Sequence, residues 1–155
     1  VAQTSAEGVI SVSNEHLSQF HLVNTATALH RIAKSSDTHK VVEHKGLKSI
    51  ISRIYALLQD ARVPKAAVSL ANIFWACGKM GFTDMPLFEV LASEARRQLS
   101  ALDCQECSNM SWAFATLEIS HEELLAELRK KSMELMMGAA MQDLANTSWA
   151  YAKLG

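Results

Sequence analysis

Proline and glycine are scarce, at 2 and 6 among 155 residues. With few chain breakers, helix is favoured over strand. Cysteine is scarce too. Three are too few for a disulfide scaffold, and an odd count fits a reducing compartment. No apolar run reaches 18 residues, so no membrane span is expected. No N-terminal segment joins a basic start to an apolar core, so no signal peptide is visible. Neither sign of charge dominates: the net charge is −1, where a generic polyanion binder would be more basic. There is no glycine-rich phosphate loop, nucleophile elbow or pair of inward carboxylates. The sequence therefore predicts no enzyme, no cofactor, no metal and no small-molecule substrate.

What is present is alanine and leucine, 22 and 18 residues. The length suits one domain, able to bury roughly 70% of its unfolded surface. The first residue is Val rather than Met, and the chain reads as a piece of something longer. Its charge is graded. Residues 1–63 carry 7 Lys/Arg and 5 Asp/Glu, a net +2; residues 64–100 carry 4 and 3, a net +1; residues 101–155 carry 4 and 8, a net −4.

The sequence repeats. Residues 70–81 read LANIFWACGKMG, residues 107–117 CSNMSWAFATL, and residues 144–155 LANTSWAYAKLG. Asn72, Asn109 and Asn146 are 37 apart, as are Trp75, Trp112 and Trp149. A weaker copy, LVNTATALHRI at 22–32, has Thr27 in place of Trp. Its Asn24 lies 48 before Asn72, and the extra residues fit the polar stretch 35–40, a predicted loop.

A second amphipathic pattern follows each copy. Leu87, Phe88, Leu91 and Ala95 match Leu124, Leu125, Leu128 and Ser132; Leu47, Ile50, Ile51, Ile54 and Leu58 serve the first unit. Capping boxes are expected at Ser120–Glu123 and Asp103–Glu106. Pro64 and Pro86 suit first turns, and Gly81 and Gly138 suit helix stops. Each unit is thus two antiparallel helices, A then B. Such a hairpin buries its apolar faces only by stacking on neighbours. The expected fold is all-α: a right-handed α-solenoid of about three and a half 37-residue repeats. They span approximately 14–62, 64–100, 101–137 and an incomplete 138–155.

On a helical wheel at 100° per residue, helix A has three faces. Cys107, Met110, Phe114 and Leu117 form an apolar one. Ser108, Ser111 and Ala115 form a small-residue face suited to close helix approach. Gln105, Asn109, Trp112 and Thr116 form a third edge, repeated as Asn72, Trp75 and Lys79, as Gln142, Asn146, Trp149 and Lys153, and as Asn24 and Arg31. Stacked edges of amides, aromatics and cations suit single-stranded nucleic acid, because bases stack on aromatics and amides read base edges. The same Trp residues also read as packing wedges between helices, and the Asn residues as a buried structural ladder. If Trp112 is core, Trp112→Ala costs roughly 3–5 kcal/mol.

Other residues read as structure. Cys104 and Cys107 form a lone CxxC without a second ligand pair, so both are expected to be core cysteines, like Cys77. His16, His21, His30, His39 and His44 are expected exposed or in loops. Arg96, Arg97, Arg129, Lys130 and Lys131 suit helix C-terminal ends. Met133, Met136, Met137 and Met141 suit core filling.

The segments QECSNMSWAFATL (105–117) and QDLANTSWAYAKLG (142–155) resemble the signature of heptatricopeptide and octotricopeptide repeat proteins. These are α-solenoids of organelles, related to FAST-kinase-like proteins that often end in a RAP domain. The 37-residue spacing is similar to the heptatricopeptide type. The resemblance covers residues 64–155 well and 14–62 loosely; no RAP domain is present. It implies binding of organellar RNA, in a mitochondrion rather than a plastid, for transcript processing, stabilisation or ribosomal RNA binding, with helix A lining the RNA surface. The competing class is a protein–protein scaffold within a large organellar assembly, which the acidic third unit favours.

Overall fold

A computed structural model describes residues 5–155. Among the described residues there are eight α-helices and no strand. They are α1 (Ala6–Glu15), α2 (Leu22–Lys34), α3 (Lys45–Gln59), α4 (Ala67–Met80), α5 (Met85–Arg97), α6 (Cys104–Leu117), α7 (Glu122–Leu135) and α8 (Met141–Leu154). Short 3₁₀ turns occur at Leu17–Gln19, Thr38–Lys40, Leu99–Ala101 and Met136–Gly138.

The helices form two rows. In the first, α2 packs on α4, α4 on α6 and α6 on α8; in the second, α1 packs on α3, α3 on α5 and α5 on α7. Between the rows lies one apolar core. Its largest fully buried side chains include Phe74, Phe88 and Phe114, each within 5.6 Å of the other two by ring centroid. The edge-on contacts of Phe88 with both partners are the favoured aromatic geometry. Small residues set the spacing of the first row. Ser108, Ser111 and Ala115 are fully buried in α6. A Cβ on Gly78 of α4 would lie 3.0 Å from Trp112 Cζ3 and 3.1 Å from Ala113 Cα of α6. Only a glycine there lets the two backbones approach this closely.

Helix ends follow local chemistry. Asp103 and Glu106 close a reciprocal capping box on α6, with bonds of 2.8 and 2.9 Å. Asp84 Oδ1 accepts from Leu87 N–H at the start of α5, where Pro86 occupies the first turn. Two expected starts shift. Ser120 does not cap α7; His121 does, its Nδ1 accepting from Leu124 N–H at 3.3 Å. Pro64 lies in the loop before α4, whose N-cap is Ala66. Gly81 ends α4 in the left-handed region, but Gly138 closes a 3₁₀ turn instead. Left-handed residues fall at Gly81, Glu118 and Gly155, again 37 apart.

The sequence pattern did not mark α1. Ser5 Oγ accepts from Gly8 N–H, and Ala6, Val9, Ile10 and Ser13 are buried. The 3–4 spacing was there, but it lay before the boundary placed at residue 14. The polar stretch 35–40 is more than a spacer, because Asp37 Oδ1 accepts the Ala6 N–H at 2.9 Å and so caps α1. Asn14 Nδ2 donates to Gly46 O at 3.1 Å, fixing α1 on the start of α3.

Candidate nucleic-acid interface

Side chains on the third edge of helices α2, α4, α6 and α8 stay at the surface. Asn24, Arg31, Lys79, Gln105, Gln142 and Lys153 are exposed, while Asn72, Asn109, Thr116 and Asn146 are half-buried. None of these ten lies in the core.

Aromatic rings run along the same edge. His30 of α2 lies 4.8 Å from Trp75 of α4 by centroid, and Trp75 lies 6.4 Å from Trp112 of α6, with ring planes 26° apart. Trp75 and Trp112 are half-buried, and Trp149 is 45% exposed. Each ring therefore does two things: its inner side packs on the neighbouring helix, and its outer side meets solvent. Full burial of the Trp residues does not occur. Repeat register explains the packing partner. His30, Gly78 and Ala115 each stand three residues after the Trp or Thr position, and His30 and Gly78 are the residues met by Trp75 and Trp112.

Electrostatics along the edge are mixed. Lys153 Nζ sits 5.5 Å over the Trp149 ring and 3.3 Å from Glu118 Oε1. Both groups of that ion pair are substantially solvated, so it contributes little to stability. Gln142 Nε2 donates to Asn146 Oδ1 at 2.9 Å. Asn24 Oδ1 accepts His21 N–H at 3.1 Å, giving this amide a capping role as well. Burial, then the Lys34 charge, holds His30 below the ordinary histidine range. The sequence reading placed His30 among exposed or loop histidines. It is instead a half-buried rung on α2, because the ring opposite it, Trp75, covers one side.

The remaining candidates sort by burial. Cys77 and Cys107 are buried, and burial pushes both thiols up to about 12, so neither is a thiolate at neutral pH. Cys104 is half-buried, its thiol also raised by burial. No group of three His, Cys, Asp or Glu among the described residues is placed to hold a metal ion. No helix among them is long and apolar enough to cross a membrane. Arg96 lies in the last turn of α5, as read, and its guanidinium also crosses to α7 and binds Glu127 and Glu123. These four methionines do not fill the core: Met133, Met136, Met137 and Met141 are all exposed, Met137 by 95%. Their apolar surface meets solvent. No protein family, curated protein or solved structure matches the chain.

Proposed function

We propose that this chain is an RNA-binding helical-repeat segment of the heptatricopeptide and octotricopeptide kind, acting in an organelle. In this reading the helical hairpins form a solenoid of about three and a half 37-residue units. Single-stranded RNA lies along the edge of the first helix row. The observation that carries it is the half-exposed ring series His30, Trp75 and Trp112, flanked by Asn72 and Asn109. Bases stack on the solvent-facing side of the rings, Asn72, Asn109 and Asn146 meet base edges, and Arg31, Lys79 and Lys153 meet phosphates. Stacking contributes about 1–3 kcal/mol per base.

Fluorescence anisotropy of labelled single-stranded RNA tests this. With three cationic contacts, affinity falls roughly 20-fold between 50 and 200 mM salt. Trp75→Ala weakens binding, and Lys79→Ala lowers the salt slope by about 0.7. Absence of binding at low salt, or affinity indifferent to both variants, removes the RNA reading.

One observation favours a second reading, a protein–protein scaffold. Four methionines are exposed near the acidic C-terminal third, and flexible thioethers suit adaptable protein contacts. A partner bound there would leave the edge variants without effect.

A further inference from the structure

The connection between α2 and α3 is longer and more basic than its counterparts. It runs over residues 35–44, where residues 81–84 join α4 to α5 and residues 118–121 join α6 to α7. Neither counterpart holds a Lys or Arg. With its flanking turns, residues 31–48, the first connection holds five Lys/Arg against Asp37 and Glu43, a net +3 in a chain of net −1. It is wound into tight turns. The N–H groups of Thr38, Lys40, Val41 and His44 each donate to the carbonyl three residues back, and Val41 is buried in the core.

Both acids of the connection are already engaged. Asp37 Oδ1 accepts the Ala6 N–H at 2.9 Å, and Glu43 pairs with Lys48 at 2.8 Å. Lys34, Lys40 and Lys45 are exposed and form no ion pair among the described residues. The helix dipole accounts for Lys34, in the last turn of α2. It does not account for the other two. Lys40 closes a 3₁₀ turn, and Lys45 opens α3, the end where a cation is disfavoured. The patch adjoins the edge of the first helix row. Lys34 stands one turn after Arg31 on the same side of α2, and Arg31 holds the register position of Lys79 in α4. The cations therefore continue from the edge onto the connection. No apolar side chain stands exposed there, since Val41 is buried and Val42 half-buried. The patch offers charge without the apolar face that a lipid surface would take up.

We propose that the α2–α3 connection extends the RNA surface beyond the helix edge, and that the phosphates of the strand pass over Lys34, Lys40 and Lys45. This rests on the RNA reading and adds to it a contact region that grips the backbone and reads no base.

Anisotropy of labelled single-stranded RNA of random sequence, titrated at several salt concentrations, tests it. K34Q/K40Q/K45Q is expected to lower the salt slope by about 2, so that its loss of affinity shrinks roughly 20-fold between 50 and 200 mM salt. R97Q/K130Q/K131Q removes the same charge from the second helix row and leaves the slope unchanged. Helical circular dichroism confirms that both variants fold. An equal change in the two triple variants overturns the proposal, because net charge rather than contact then sets the slope. So does a slope that K34Q/K40Q/K45Q leaves alone while Trp75→Ala weakens binding, and in that case the RNA reading stands. A wild-type chain that binds no RNA at low salt removes both together. Loss of binding to phosphatidylserine vesicles in K34Q/K40Q/K45Q, with RNA affinity intact, overturns the proposal in favour of a lipid surface.

Discussion

At the scale of single residues, the left-handed positions are the most exacting. Gly81 adopts φ +66 without strain, but Glu118 adopts φ 57 with a Cβ to accommodate. Its exposed pair with Lys153 returns little. Glu118→Gly is expected to stabilise the fold by about 1 kcal/mol, and Gly81→Ala to destabilise it by about the same. Chemical denaturation of the two variants checks both signs. Space is not the issue at Gly81, because a Cβ there meets nothing within 4 Å. His30 adds a pH dependence. Its folded pKa lies below 6.5, so the unfolded chain binds the proton first as pH falls. The stability from the neutral ring is therefore full above about pH 6.5 and declines as pH drops beneath it. Melting temperatures across pH 7.5 to 5 are expected to fall less steeply in His30→Phe than in the wild type. Identical slopes would remove the argument. The sequence showed Gly81 as a stop. It could not show Glu118 as one, because glutamate carries no turn signal and the position emerges only from the 37-residue register.

Among the elements, spacing between helices is set by what is missing from side chains. Gly78 is the clearest case. Helix propensity alone says that a larger residue there is favourable. The contacts with Trp112 and the Ala113 backbone say the reverse. Gly78→Val is expected to cost about 1–3 kcal/mol, measured by urea denaturation; an unchanged midpoint would mean that α4 and α6 part freely. Seven of the eight helices were legible from apolar spacing and the Asn and Trp register. That arithmetic also put Asn109, Trp112 and Thr116 on one edge, where the structure finds them half-buried. What it missed is instructive. Helix α1 has no Trp, and its Asn14 is not followed by the repeated pattern, so a search led by the repeat passed over it. The histidine caps at His44 and His121 escaped because imidazole is an uncommon acceptor at helix starts. The exposure of the methionines is a tertiary property: apolarity alone favoured the core, but no element covers them.

The whole molecule is two rows in which each helix leans chiefly on its near neighbours. Stability in such an array is a sum of local terms and junction terms. Burial is uneven along it: Ala150 is the one buried residue of α8, whereas α4 buries nine. Hydrogen exchange at low protein concentration is therefore expected to be slowest in α4 and α6 and fastest in α8. Uniform protection across the helices would contradict a junction-by-junction account. The same neighbour-only packing has a mechanical side. Load applied along the rows passes through each small-residue junction in series, because no strand among the described residues ties one end to the other. Extension is then expected to proceed in steps, one helix pair parting from the next. Resistance to such a load is then set by the tightness of seats such as the one Gly78 gives Trp112.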